Sequence, residues 1–401
     1  MGFIERKQYL DWLIRWKERQ IIKVVSGIRR CGKSTLFEMY RNYLLQNGTN
    51  DAQIIAINFE DINNEHLTRY RTLYDYITGI LLTDKMNYIF LDEVQHVEAF
   101  EKAVDSLFLK RNCDVYITGS NAYFLSGELA TLLSGRYVEL KMLPLSFKEY
   151  RMGDAACSLD RYITMGSFPY TLRFLQEERE AKEYLRDLYH TVLLKDIVQR
   201  LKISDVTSLE SVVKFIFHNI GSIVSPAKIA NTLKSSGKGV DQKTVDKYIK
   251  GLCDSLIIYE ATRYNIKGRS FLSTQSKYYC VDIALRNLLV RGKDNDIGHI
   301  LENIVFLELK RRGYDVYAGQ FDNAEVDFVA INADGIQYYQ VTATALDENV
   351  LKRELAPLRK ISDNYPKFLL TLDEVFGTAD YDGIRKINVI GWLLELFPVR
   401  V

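Results

Sequence analysis

Hydrophobic and polar positions follow two patterns along the first part of the chain. Short runs that are almost entirely apolar alternate with longer stretches in which apolar residues recur at helical spacing. Strands of a parallel sheet are buried on both faces, and this makes their sequences nearly continuous apolar runs. The pattern predicts an α/β fold in which helices wrap a parallel sheet. The five predicted strands are Ile21–Val25, Gln53–Phe59, Asn87–Leu91, Val115–Thr118 and Tyr137–Leu140.

Beyond residue 145 the chain divides into three further segments. Residues 146–203 contain charged helical stretches and no strand-like run, which predicts a helical lid. Residues 204–292 contain three helical stretches and then two β runs, and this order predicts a winged helix. Residues 293–401 again mix helices and strands. We therefore expect four domains, of which residues 1–145 form the first.

Composition restricts the classes of protein that remain. The chain has 401 residues, of which 47% are hydrophobic and 26% charged, the balance of a soluble globular protein. The formal net charge is +1, so any nucleic-acid surface has to be a local patch. The chain contains no apolar run long enough for a membrane span, and its N-terminus lacks the apolar core of a secretion signal. Its five separated cysteines form no CxxC pair, and we expect a cytoplasmic protein.

A phosphate-binding motif follows the first predicted strand. Residues Gly27 to Ser34 fit the pattern GxxxxGK[ST], and a helical stretch at Thr35–Leu45 comes next. Backbone N–H groups of such a loop surround the phosphates, and the helix N-terminus adds partial positive charge. Lys33 would contact the β and γ phosphates of ATP, and Ser34 would coordinate Mg²⁺. The predicted ATP-binding residues are Gly27, Ile28, Arg29, Arg30, Cys31, Gly32, Lys33, Ser34 and Thr35.

Two acids, Asp92 and Glu93, end the third apolar run. Asp92 would hold Mg²⁺, and Glu93 would orient and deprotonate the attacking water. The next run ends in Thr118-Gly-Ser-Asn, where Asn121, with Ser120 as the second choice, would position water near the γ-phosphate. A plain turn also accounts for these last residues. The acids and the phosphate loop together predict ATP hydrolysis.

The arginines near these motifs have two interpretations each. Arg136 follows a predicted helix at Glu128–Leu133 and would act as an arginine finger on the ATP of a neighbouring subunit. The dipole of that helix, which favours a cation at its C-terminus, is the alternative explanation. Arg29 and Arg30 lie inside the phosphate loop, where phosphate contact and a solvated or structural role both stay open.

The chain resembles the bacterial and archaeal AAA-type ATPases that carry a C-terminal domain of uncharacterised function. The resemblance covers nearly the whole chain and implies a five-stranded ATPase core, a helical lid and homo-oligomers. Gly166-Ser-Phe-Pro169 is similar to the GG-x-P motif of the family's lid, with Ser167 in place of the second glycine. The matching ATPase motifs are Ser26–Thr35, Leu91–Gln95, Thr118–Asn121, Leu133–Arg136 and Leu143–Phe147.

The predicted winged helix carries a local positive charge. Lysines outnumber acids between Lys228 and Lys250, and Arg263, Lys267 and Arg269 lie on the predicted wing. Spacings of four and three residues place a row of lysines on one face of the predicted recognition helix, namely Lys243, Lys247 and Lys250. Duplex DNA bound through residues 228–269 would explain this face. A solvated helix in an interdomain or protein-binding module explains it as well.

The final segment resembles the restriction-endonuclease-like fold. Glu302 lies on its first predicted helix, Asp327 on a strand, and Gln340 and Thr342 on the next strand. Nucleases of that fold use an acid, then Glu or Gln, then lysine two residues further on, to bind a divalent metal and activate water. Thr342 stands where the lysine belongs. We therefore expect a domain that does not cut DNA and instead binds a protein partner or a neighbouring subunit.

Two classes of function follow from these residues. The first is an ATPase that drives remodelling or movement of DNA or a protein partner. The second is a nucleotide-controlled DNA-binding regulatory switch in which slow hydrolysis is a timer. An ATP-dependent nuclease is a further alternative, since the predicted carboxylates Glu302 and Asp327 are compatible with a metal site.

Overall fold

The computed structural model of the protein describes residues 4–120, 133, 135–237, 239–290, 297–375 and 377–396. Backbone proximity divides the chain into two compact units. The first unit contains the residues up to 144 together with Asp254–Leu256, and the second contains residues 145–253 and 257–401. The second unit thus includes most of the three segments that follow residue 145 in the sequence-based division.

The first unit is built on a parallel five-stranded sheet. Its strands are β1 (Ile22–Gly27), β2 (Ile54–Asn58), β3 (Asn87–Asp92), β4 (Cys113–Ser120) and β5 (Tyr137–Met142). Their order across the sheet is β2-β3-β4-β1-β5. β1 and β3 are buried along their whole length, as expected for strands covered on both faces. The sheet predicted from the apolar runs is therefore confirmed.

Helices cover this sheet and bury its apolar side chains. They are α1 (Lys7–Trp16), α2 (Lys33–Gln46), α3 (Tyr70–Ile80) and α4 (Phe100–Phe108), with 3₁₀ turns at Asp51–Gln53, Ile62–Leu67 and Val94–His96. One apolar cluster joins the sheet to α3 and α4 and includes Ile89, Leu73 and Val104. Close packing of this kind fixes the strand ends that carry the predicted site.

The helices of the second unit lie before its strands and also between and after them in the chain. They are α5 (Phe147–Gly153), α6 (Leu159–Met165), α7 (Glu178–Asp187), α8 (Lys195–Leu201), α9 (Val206–His218), α10 (Pro226–Ser235), α11 (Gln242–Asp254), α12 (Ile283–Leu289), α13 (Ile297–Arg311), α14 (Glu348–Lys360) and α15 (Val389–Leu393). A 3₁₀ turn at Pro169–Phe174 and a π-helical segment at Leu188–Leu194 interrupt them. Among the described residues, no helix is long and apolar enough to cross a membrane.

Proline begins one of these helices and glycine ends another. The Ser225 hydroxyl accepts a hydrogen bond from the backbone N–H of Lys228, and Pro226 is the first residue of α10. Proline suits this place, because at the first helical position it loses no hydrogen bond. Gly166 ends α6 with a φ of 85°, so the Gly-Ser-Phe-Pro sequence does separate helices.

A nine-stranded mixed sheet completes the second unit. Its strands are β6 (Ile223–Val224), β7 (Ile258–Asn265), β8 (Ser270–Cys280), β9 (Asp315–Phe321), β10 (Ala324–Asn332), β11 (Gly335–Val341), β12 (Lys367–Thr371), β13 (Thr378–Tyr381) and β14 (Ile384–Asn388). Their order is β13-β14-β12-β11-β10-β9-β7-β8-β6. β7 pairs with β9 in parallel between Arg263–Asn265 and Ala318–Gln320. The hairpin of the predicted winged helix and the strands of residues 293–401 therefore share one sheet.

Candidate active site

The phosphate loop connects the end of β1 to the start of α2. Gly32 has a φ of 101°, a left-handed conformation that glycine adopts without strain, and α2 begins at the next residue, Lys33. A Cβ atom added to Gly27 would lie 2.5 Å from the carbonyl oxygen of Met142 on β5. Both glycines of the motif are therefore required by the backbone. The N-terminus of α2 opens at the loop, as an anion site requires.

The other residues of the loop differ in exposure. Ile28 and Cys31 are buried, and burial raises the pKa of the Cys31 thiol. Ser34 and Arg30 are exposed, and Thr35 is half-buried. The exposed Ser34 hydroxyl and Arg30 guanidinium are accessible to a ligand in this position.

Arg6, which lies outside every motif found in the sequence, supports the loop. Its Nη1 donates to the carbonyl oxygen of Cys31 at 3.2 Å, and its Nη2 donates to that of Leu143 at 2.8 Å. The arginine is buried, and its Cζ atom lies 4.8 Å from the ring centre of Tyr9. Charged hydrogen bonds of this kind hold the loop against the end of β5. No local pattern in the sequence indicates such a distant contact.

Lys33 and Glu93 contact each other across the loop. Lys33 Nζ lies 3.5 Å from Glu93 Oε1 and donates to the carbonyl oxygen of Gly27 at 3.3 Å. Gln95 Nε2 donates to Glu93 Oε2 at 2.5 Å. Both side chains of the ion pair are buried, which strengthens their attraction relative to water.

Thr118 of β4 connects the two acids that follow β3. Its hydroxyl donates to Asp92 Oδ1 and accepts from the backbone N–H of Glu93 at 2.9 Å. Glu93 has a φ of 56°, so the chain turns sharply between the two carboxylates. Thr118 is fully buried. Asn121 and Ser120 were the residues predicted here and Thr118 was missed, although a polar side chain inside a buried strand was a usable signal.

The two carboxylates differ in their electrostatics. Burial raises the pKa of Asp92, although hydrogen bonds from Ser34 and Thr118 oppose this shift. Burial also acts to raise the pKa of Glu93, but Lys33, Gln95 and Arg29 outweigh it and hold the pKa below its usual value. Glu93 is therefore ionised at neutral pH. The Ser34 side chain is close enough to Asp92 to act on the pKa of its carboxyl, so the two predicted Mg²⁺ ligands lie near each other.

Of the two remaining residues predicted to be catalytic, the structure describes Arg136 and does not describe Asn121. Asn121 and the predicted helix before Arg136 lie outside the described residues, except for Leu133. Arg136 Nη1 lies 3.7 Å from Asp105 Oδ1, and its guanidinium stacks 5.6 Å from the ring centre of Phe108. Its side chain is 43% exposed. The arginine thus has a partner within its own unit and remains accessible to solvent.

Comparisons relate this chain to known proteins. An AAA domain matches residues 19–151. An uncharacterized protein of Haemophilus influenzae is 39% identical over 98% of this chain and 99% of its own length. The chain belongs to the same family as this protein, and it contains an AAA domain. The part that follows, residues 157–296, matches a domain of unknown function, DUF8612.

More distant proteins share parts of the AAA-domain chain. An uncharacterized protein of Methanocaldococcus jannaschii is 28% identical over 94% of the chain and 87% of its own length. A Walker-type ATPase of Pyrococcus abyssi is 14% identical with a TM-score of 0.48, and the match covers 72% of this chain and 96% of that one. AMPPCP-bound DnaA from Aquifex aeolicus is 11% identical with a TM-score of 0.31, over 61% and 86% of the two chains.

In the second unit of this AAA-domain protein, the predicted DNA-binding lysines lie on α11. Lys243, Lys247 and Lys250 are all exposed. Lys247 Nζ also donates to the carbonyl oxygen of Leu201 at 3.0 Å. The prediction that these three lysines lie on a helix is therefore confirmed.

Two cations of the predicted wing already have partners within the second unit. Lys267 Nζ lies 3.3 Å from Asp322 Oδ1. Arg263 donates to Gln320 Oε1 at 2.5 Å and to Gln275 Oε1 at 3.3 Å. A phosphate at the wing would have to compete with these contacts.

The carboxylates Glu302 and Asp327 lie together in the same unit. Lys277 of β8 lies between them, with Nζ 2.7 Å from Glu302 Oε1 and 3.7 Å from Asp327 Oδ1. Gln340 donates from Nε2 to Glu354 Oε2 at 3.1 Å. The Thr342 hydroxyl donates to the carbonyl oxygen of Thr344. Lys277 was missed from the sequence, because a lysine was expected only near the strand that carries Thr342.

Proposed function

We propose that this chain binds ATP and Mg²⁺ at the phosphate loop and hydrolyses ATP. The observation that carries the proposal is the convergence of Lys33, Ser34, Asp92 and Glu93 at one strand edge, with Lys33 and Glu93 in contact. Ser34 and Asp92 would hold Mg²⁺, which would neutralise charge on the phosphates. Lys33 would bind the β and γ phosphates in place of Glu93.

Glu93 is the proposed general base. Its carboxylate is ionised and buried, and its backbone N–H is fixed by a hydrogen bond to Thr118, so it can accept a proton from water without reorganising. Asn121 would help to position this water. Arg136 would act on the ATP of a neighbouring subunit in a homo-oligomer, and the 43% exposure of its side chain supports this assignment.

We propose that hydrolysis in the core, residues 1–145, drives work on DNA or a protein partner bound by the rest of the chain. In this proposal residues 146–203 form a helical lid, and residues 204–292 bind duplex DNA as a winged helix through residues 228–269. The exposed lysines of α11 support DNA binding, because phosphate contacts supply most of such affinity. Residues 293–401 would form a restriction-endonuclease-like domain that binds a protein partner and leaves DNA uncut.

A nucleotide-controlled switch is the second candidate function. The contact between Lys33 and Glu93 favours it, because the general base is bound to an ammonium until phosphate takes its place. Basal turnover would then be slow, and the bound nucleotide would control affinity for DNA. An ATP-dependent nuclease receives no support from the cluster around Lys277, where the cation is a side chain.

The test is the ATPase rate of the purified protein without nucleic acid and with duplex DNA, single-stranded DNA or RNA. The driven-enzyme proposal expects faster hydrolysis with one of these partners. The switch expects a slow and unchanged rate, together with DNA affinity that differs between ATP and ADP. The Lys33→Ala variant measures contaminating activity. Hydrolysis that persists unchanged in this variant rejects the proposed ATP site.

A further inference from the structure

The carboxylate cluster of the second unit contains its own cation. Lys277 Nζ lies 2.7 Å from Glu302 Oε1, 2.5 Å from Glu325 Oε1 and 3.7 Å from Asp327 Oδ1. The lysine side chain is only 2% exposed. A single ammonium thus lies among three carboxylates, of which Glu302 and Asp327 are buried and Glu325 is 43% exposed.

Three elements of the fold deliver these groups to one place. Lys277 comes from β8, Glu302 from α13, and both Glu325 and Asp327 come from β10. The pairing of β10 with β9 shifts register between Val326 and Val329, which is where Asp327 lies. Such bulges re-aim a side chain relative to a regular strand.

Other hydrogen bonds hold two of the carboxylates in place. The Tyr279 hydroxyl donates to Glu302 Oε1 at 2.7 Å. The backbone N–H of Val341 donates to Asp327 Oδ2 at 2.8 Å. Neither carboxylate can therefore turn to water without breaking a hydrogen bond. A cation stabilises the charged forms of the two buried carboxylates, Glu302 and Asp327, because like charges at this distance repel strongly in a medium of low dielectric constant.

Either an ammonium or a divalent ion can satisfy such a group. Carboxylate oxygens are the ligands that Mg²⁺ and Mn²⁺ prefer in proteins. Lys277 donates a charged hydrogen bond to Glu302 and forms an ion pair with Glu325. The ammonium thus lies inside the set of ligands, whereas a lysine that assists a metal would lie beside the ion.

We propose that the Lys277 ammonium occupies the position of a divalent cation and excludes metal from the C-terminal domain. This inference rests on the proposed role of that domain in binding without cutting, and it is independent of the ATPase site. Its consequence is that loss of one ammonium converts Glu302, Glu325 and Asp327 into a metal site. Mn²⁺ is the probe for this conversion.

The experiment measures Mn²⁺ binding by electron paramagnetic resonance in the full chain without nucleotide. Asp92→Asn is present throughout to remove a candidate ion ligand from the core. We expect no Mn²⁺ at the cluster when Lys277 is intact, and one new site in the Lys277→Met chain. The new site should disappear when Asp327→Asn is added.

Lys386 provides a matched control within the same sheet. Its Nζ lies 2.7 Å from Asp373 Oδ2, and both side chains are buried, so Lys386→Met also removes a buried ammonium from an ion pair. Only one carboxylate is paired with it among the described residues. We expect Lys277→Met to bind Mn²⁺ at least about tenfold more tightly than Lys386→Met does.

Two results would overturn the proposal. One is Mn²⁺ bound with Lys277 intact and released by Asp327→Asn, and the other is a folded Lys277→Met chain that gains no site. If Lys277→Met does not fold alone, millimolar Mn²⁺ should restore its circular dichroism and its thermal transition. Failure of this rescue also overturns the proposal. Cleavage of plasmid DNA is measured separately, so that failure of the non-cutting role is distinguished from metal binding.

Discussion

The ammonium of Lys33 lies 3.5 Å from the carboxylate of Glu93, so the residue assigned to bind phosphate and the residue assigned to activate water are partners of each other. ATP would compete with Glu93 for this ammonium. Phosphate binding would then release the carboxylate at the moment when water has to be activated. The contact links the binding of the substrate to the availability of the base.

The first prediction concerns this ion pair. Glu93→Gln should bind ATP severalfold more tightly than the parent, because Lys33 no longer has to break an ion pair with Glu93 before it binds phosphate. Its turnover should fall about 10²-fold or more, since the general base is lost. Lys33→Ala should show no measurable ATP binding. A fluorescent ATP analogue and phosphate release measure the two quantities, and equal turnover in Glu93→Gln and the parent would refute the role of Glu93.

The second prediction concerns Thr118. Thr118→Val keeps the shape of the side chain but removes the hydroxyl that bonds Asp92 and the backbone N–H of Glu93. Turnover should fall about tenfold or more while ATP affinity changes little, because the geometry of the base is affected before that of the loop. Thr118→Ser keeps the hydroxyl and should restore most of the rate. A turnover rate in Thr118→Val equal to that of the parent would show that these hydrogen bonds do not matter for hydrolysis.

The third prediction places Arg136 at a subunit interface. Arg136→Ala and Glu93→Gln chains should each be inactive, and a mixture should recover part of the ATPase rate, because some interfaces then contain one intact site. Asp105→Asn, which removes the partner within the chain but keeps the guanidinium, should remain active. Chains that co-assemble without recovering activity would assign Arg136 to its own chain.

The fourth prediction concerns the lysines of α11. Duplex DNA binding should weaken with salt, and removing each lysine that binds a phosphate should lower the slope of the log–log salt dependence by about one. The Ala variant at Lys243, Lys247 and Lys250 is compared with a control at Lys352 and Lys360, which are exposed on α14. Fluorescence anisotropy over a range of salt concentrations is the measurement. An unchanged slope in the triple variant removes α11 from the DNA-binding surface.

The fifth prediction is a pH dependence of stability. Burial acts to raise the pKa of Asp373, but hydrogen bonds from Lys386, Thr344 and the backbone of Ala345 outweigh it and hold the pKa below its usual value. The stabilisation is therefore present above the pKa of the unfolded chain and is lost as the pH falls through the lower folded pKa. Asp373→Asn should lower the free energy of unfolding by about 3 kcal/mol at pH 7.

Urea denaturation at several pH values tests this sign. The difference in the free energy of unfolding between Asp373→Asn and the parent should shrink as the pH falls below about 4. The carboxylate of the parent then becomes protonated and loses its charge, so that it resembles the uncharged amide of the variant. A difference that stays constant down to the lowest pH at which both chains fold would show that the ion pair with Lys386 is not its cause.

The sequence predicted the core of the first unit well. Buried parallel strands have nearly continuous apolar sequences, and the phosphate loop is recognised from a short run of neighbouring residues. It missed β13, a short strand at Thr378–Tyr381 whose residues are half-buried or exposed and carry no apolar run. It also missed Arg6 and Lys277, because each meets its partners only through the tertiary fold. Lys277 lies 25 residues from Glu302 in the chain, and no local spacing rule connects them.

The pairing of β7 with β9 has a consequence for how this protein can be divided. A chain that ends at residue 292 would lose β9 and leave the N–H and C=O groups at that side of β7 without a neighbour. A fragment that starts at residue 293 would expose the matching edge of β9. Unpaired edges of this kind recruit strands from other molecules, so both fragments should aggregate. The second half of the chain should therefore be expressed as a single piece.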